Sequence, residues 1–148
     1  MIGRRSLLLL SAIALLALGI GFPARAAEAQ QPSAAQPLAA QPFAARPFEA
    51  DAFEAAQAAG RPILVEVSAP WCPICRTQKP ILAKLGTDPR FKDLVHFEID
   101  FDSQKPLLRR FDARQQSTLV AFKGRQEVGR SVGETQPEWI ESLLEKTL

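Results

Sequence analysis

The chain has 148 residues, enough for one domain and too few for two once its N-terminal region is set aside. Its formal charge is +2, but Arg4, Arg5 and Arg25 lie in an apolar leader, and without them the balance is about −1. With no basic patch interleaved with aromatics and no lysine-rich amphipathic stretch, the composition points away from nucleic acid and from membrane surfaces. Only two cysteines are present, three residues apart, so no structural disulfide is left to staple the fold.

Residues 1–26 read as an export signal: Arg4-Arg5, an apolar run from Leu7 to Ile20, then Ala24-Arg25-Ala26 as an A-x-A cleavage site. The run is about 15 residues, short of the roughly 20 that span a bilayer, which favours cleavage after Ala26 over a retained anchor. The paired arginines also fit a twin-arginine signal. Residues 27–47 form a linker. From residue 31 an imperfect five-residue repeat (QPSAA, QPLAA, QPFAA, RPFEA, DAFEA) sets proline against both helix and sheet and predicts an extended tether. A second use for it is docking, through Leu38, Phe43 and Phe48. The folded domain is expected over 48–148.

An alanine-rich helix is predicted over 51–59, ended by Gly60. The run from Ile63 to Val67 is apolar apart from Glu66 and rich in β-branched residues, which predicts a short buried strand. Cys72-Pro73-Ile74-Cys75 then opens a helix over 73–85, with proline in the first turn, where its missing N–H costs nothing. Pro80 is expected to kink this helix, and Gly86 to end it. A second strand is predicted over 95–99, then a helix over 103–111 capped by Asp102. Two further strands, 118–122 and 127–132, make a hairpin across Lys123-Gly124-Arg125. Thr135-Gln136-Pro137-Glu138 reads as a capping box starting a last helix with Trp139, Ile140, Leu143 and Leu144 on one face. Phe91, Phe97, Phe101, Phe111 and Phe122 are core candidates.

The two thiols share one face at a helix N-terminus, where they can join as a disulfide or part as two thiols. The unpaired N–H groups and the positive end of the helix dipole favour an anion there. Cys72, the more N-terminal and expected to be the more exposed, is therefore the candidate nucleophile, and Cys75 the resolving thiol.

A strand leading into Trp71-Cys72-Pro73-Ile74-Cys75, with Pro80 five residues after the second cysteine, resembles the thioredoxin superfamily, and most of all its members exported to the bacterial periplasm. The resemblance runs from about Phe48 to the C-terminus. It implies an α/β fold, a mixed central sheet with helices on both faces, here lacking the first strand of the full fold. It implies a thiol–disulfide oxidoreductase acting on protein disulfides, reset by a membrane electron-transfer partner, monomeric and without a cofactor. Glu66 stands where the family has a buried acid; near Cys75 it can accept and return the resolving thiol's proton. His96 falls near a buried lysine that accompanies that acid in some members, a place from which it could pair with Glu66, but a lone histidine on a strand is more often incidental, and that is the expectation here. Ser117, in Gln116-Ser117-Thr118-Leu119, replaces the family's cis-proline. A cis bond to a non-proline residue costs about 2.5–4 kcal/mol, so the 116–117 bond is expected to be trans or strained. The serine also brings a hydroxyl beside the sulfurs. Trp71, Pro73, Ser117 and Thr118 are the candidate substrate-binding residues.

No metal site is expected: two cysteines and one histidine leave tetrahedral zinc a ligand short, and Arg76 after Cys75 excludes the C-x-x-C-H haem signature. Strong periplasmic oxidants of the superfamily commonly carry histidine in the dipeptide; Ile74 removes that stabiliser of the thiolate, which favours a reductase. Two other classes remain open, a soft-metal module in which both thiolates bind copper(I), and a non-catalytic interaction domain on a proline-rich tether.

Overall fold

A computed structural model of the chain describes residues 43–148. The expected leader and the repeats ahead of Phe43, Leu38 included, lie outside the described residues. The central strand, β2 (Pro62–Ser68), has β3 (Val95–Asp100) parallel to it on one side and β4 (Thr118–Lys123) antiparallel on the other. β5 (Gln126–Val132) continues the antiparallel half through a hairpin at Gly124, whose φ of +56° suits glycine in a tight turn. The expectation that the first strand is missing needs correcting. A two-residue strand, β1 (Arg46–Pro47), pairs parallel with the far side of β3, giving the order β1-β3-β2-β4-β5.

Side-chain alternation divides the core between the two faces of this sheet. Ile63, Val65 and Val67 of β2 meet Val95, Phe97 and Ile99 of β3 on the face covered by α1 (Ala50–Ala58) and α3 (Lys105–Arg110). Leu64 of β2 with Leu119 and Ala121 of β4 lies on the other face, under α2 (Pro73–Leu85) and α4 (Pro137–Glu145). Phe48, at the expected start of the domain, is buried in the first core, and Phe43, in the expected linker, is buried in the second.

Two helix starts differ from the sequence reading. Asp102 does not cap α3, whose N-cap is Gln104; its carboxylate is drawn to Trp71 instead. α4 starts from Gln136 without a side-chain cap, and Glu134 Oε1 accepts the N–H groups of Thr135 and Gln136 in place of a capping box. Trp139 is not on the buried face with Ile140, Leu143 and Leu144 but 62 % exposed. Of the phenylalanine candidates, Phe91, Phe97, Phe111 and Phe122 are buried, and Phe101 is partly so.

The connection from α2 to β3 turns at Pro89–Phe91 and is tied to α4 by Arg90, which bonds Asp88, Glu141 and Glu145. Hydrogen bonds from the Arg90 side chain, then its backbone N–H, hold the Asp88 carboxyl below the usual carboxylate range. An acid lowered on folding adds stability that is present above its unfolded pKa and lost as the pH falls through the folded value. Arg90→Met should therefore lower the urea midpoint at neutral pH, with the gap to wild type closing as the solution is acidified below the usual carboxylate range; a gap unchanged down to pH 2 would exclude this linkage. High salt should narrow the gap as well, because these groups are exposed.

Candidate functional site

α2 begins where Pro73 can occupy its first turn, and Cys72 is its N-cap with extended backbone. Cys72 Sγ accepts the Cys75 N–H at 3.0 Å, so one of the helix's unpaired donors is aimed at this sulfur. Cys72 and Cys75 form a disulfide, their Cα atoms 5.3 Å apart. Cys72 is not the exposed partner that its position suggested: Cys72 is 0 % and Cys75 1 % exposed, in a small cluster with Ala69 and the ring of Phe101.

The disulfide is rimmed by apolar side chains that do face solvent. Trp71 is 53 % exposed, its indole N–H donating to Asp102 Oδ2 at 2.7 Å and its ring edge-on to Phe101. Ile74 lies beside Gly133, where a Cβ would stand 3.8 Å from its Cδ1, and Val132 next to that glycine is exposed. Pro73 is exposed.

Ser117 is buried, at a φ of +58°, a left-handed conformation that costs a non-glycine residue about 1–2 kcal/mol. Its polar groups are engaged within the chain. The N–H donates to Val67 O at 2.7 Å, the hydroxyl to Gln116 O, and the carbonyl accepts from Gly133 N and Gln78 Nε2. Thr118 is buried too, its hydroxyl donating to Gln115 O. Gln78, which sequence reading passed over, is fully buried on the face of α2 that carries Cys75 and Leu82; its amide also donates to Glu134 O at 2.8 Å. One side chain thus holds both loops at the rim to the helix bearing the cysteines.

Glu66 faces α2, 1 % exposed, and register sets it opposite Glu98 of β3. Glu66 Oε2 is 2.8 Å from His96 Nε2. His96 is therefore not incidental: it is the buried partner of the acid. The signal was its spacing from Ile99, which sets it on the face of β3 shared with Glu98. Glu98 accepts from Ser68 and pairs with Lys79 of α2 at 3.6 Å, so a polar network lies under the active-site helix.

This arrangement has known counterparts. The family model for thioredoxin matches residues 45–146. The chain belongs to the thioredoxin family. Thioredoxin Asp f 29 of Aspergillus fumigatus is 32 % identical over 81 residues, 55 % of this chain and 74 % of that one. A thioredoxin H-type of Brassica campestris is 32 % identical over 90 residues, 61 % of this chain and 72 % of that one. Among solved structures, Trxlp from Edwardsiella tarda is 44 % identical with a TM-score of 0.66, covering 68 % of this chain and 98 % of its own. Thioredoxin NaTrxh of Nicotiana alata, 21 % identical with a TM-score of 0.62 and covering 72 % and 95 % of the two chains, shares the fold. Thioredoxins act on protein disulfides, and the Cys72–Cys75 couple makes this thioredoxin-family protein a thiol–disulfide oxidoreductase.

Proposed function

We propose that the protein is an exported reductant of protein disulfides, working through Cys72 and Cys75 and reset by a membrane electron donor. The observation that carries the direction is Ile74. An exposed apolar side chain stands within the dipeptide, and the described hydrogen bond to Cys72 Sγ comes from Cys75 N–H alone. A thiolate with little stabilisation is a poorer leaving group and makes the disulfide less oxidising. The leader, with Arg4-Arg5, its apolar run and Ala24-Arg25-Ala26, supports export to the periplasm.

In this reading the reduced Cys72 thiolate attacks a substrate disulfide and a mixed disulfide forms. Cys75 then attacks Cys72 Sγ, the substrate leaves as a thiol, and the Cys72–Cys75 bond returns. The exposed rim of Trp71, Pro73, Ile74 and Val132 receives the substrate. Glu66, buried on the strand face under α2, takes the proton that Cys75 must lose.

The test is the reduction potential of the couple, measured by equilibration against defined thiol buffers. A value near that of thioredoxin, about −270 mV, is expected; one near −120 mV, that of a strong periplasmic oxidant, would reverse the direction.

A further inference from the structure

Beneath α2 the Glu66–His96 pair borders a cavity of about 200 Å³. Glu66 Oε1 and His96 Nδ1 are buried and have no hydrogen-bond partner among the described residues. Unsatisfied polar atoms beside a space of this size are where proteins hold ordered water, at about 30 Å³ per molecule. The outer wall is not part of the sheet or of a helix. It is Phe43, Ala44 and Ala45, the segment ahead of β1.

Phe43 is what holds that wall. Its ring lies on the His96 imidazole with centroids 5.2 Å apart. It also fills the space at the end of α2 that Gly86 leaves open: a Cβ on Gly86 would come within 2.4 Å of Phe43 Cδ1 and 2.6 Å of its Cβ. The strand that follows contributes only two residues of ladder to β3, so the ring carries much of the attachment.

We propose that Phe43 is a positioning residue that closes a hydrated proton path to Glu66, and so sets the pH dependence of the Cys75 step. This rests on Glu66 being the proton acceptor. Cys75 gives its S–H proton to the Glu66 carboxylate, and the resulting thiolate attacks Cys72 Sγ in the mixed disulfide. The new S–S bond forms as the bond to the substrate sulfur breaks with its electron pair, and that sulfur takes a proton from solvent. Glu66 returns its proton to solvent through the cavity water. The charged and titratable groups facing it are His96 and Glu98 of β3 and Lys79 of α2; Ser68 on its own strand is polar, β4 offers Leu119, and residues 43–45 carry no charge.

The experiment mixes the reduced full chain with dithiobis-nitrobenzoate and follows the second release of chromophore, which reports the Cys75 step, across pH. Phe43→Ala opens the wall and hydrates the pair, and should displace the acid limb of the second release from its wild-type position. Phe43→Leu, which refills the gap, should restore most of the wild-type limb. Gly86→Ala should mimic Phe43→Ala, because its backbone at φ −64° accepts alanine and the three atoms nearest the added Cβ all belong to Phe43. It also serves if Phe43→Ala does not fold. His96 is the only histidine, so its NMR titration is unambiguous, and it should shift in the same variants. Folded variants with a wild-type limb and a wild-type His96 titration overturn the proposal. Glu66→Gln separates the premise: if it keeps the acid limb, Glu66 is not the acceptor, whereas if it loses the limb and the Phe43 and Gly86 variants keep it, only the role of Phe43 falls.

Discussion

Cys72→Ser is expected to abolish turnover, and Cys75→Ser to halt the reaction halfway. Serine at 72 cannot supply a thiolate at neutral pH, and the remaining sulfur lies a turn further into α2, away from the N-cap position. Disulfide reduction by Cys72→Ser should therefore fall by about three orders of magnitude or more. Cys75→Ser keeps the N-cap sulfur and the N–H aimed at it, so the first attack survives. Without a resolving thiol the mixed disulfide should accumulate and be visible on a non-reducing gel as a covalent adduct that dithiothreitol dissolves. An adduct that forms with Cys72→Ser and not with Cys75→Ser would reverse the two roles. Activity that survives both changes would remove the couple from the mechanism.

The second large effect is on stability. Phe53 of α1 sits among Phe48, Phe97, Phe111 and Phe122 with ring centroids 5.3 to 5.8 Å away, edge-on to the last three. Its burial removes apolar surface from water, and the edge-to-face geometry aligns ring quadrupoles favourably. Phe53→Ala leaves a cavity enclosed by four rings that cannot all collapse into it. The expected loss is about 3–5 kcal/mol, a large part of the roughly 5–15 kcal/mol that holds a domain folded. Thermal unfolding should shift down by about 15–25 °C. A loss below about 1 kcal/mol, the size expected of a volume-conserving swap, would mean that these rings repack freely.

What could be read from the sequence was what local chemistry decides. The buried strand before the cysteines and the helix over 73–85 follow from an apolar β-branched run and from a proline that only a first turn tolerates, and both appear as expected. The redox couple was legible for the same reason. The features that escaped depend on register or on distant gaps. His96 meets Glu66 only because β2 and β3 pair in parallel with Glu66 opposite Glu98, a long-range fact that no window around residue 96 contains. Phe43 sits in a repeat that looks alike from copy to copy; what distinguishes it is the space left by Gly86, far along the chain. Gln78 read as one more polar residue on a helix, because its partners, the carbonyls of Ser117 and Glu134, lie in loops whose position is a product of the whole fold. Asp102 was a plausible cap by sequence, and it lost that role to an indole N–H that tertiary structure brings within 2.7 Å.

Both cysteines of the chain are spent in one disulfide, and no third sulfhydryl stands by. Scrambling within a single copy is therefore impossible. The number of alkyl groups that a quenched and denatured sample takes up is zero when oxidised, two when reduced and one when caught on a partner, so intact mass alone counts the electrons the molecule carries.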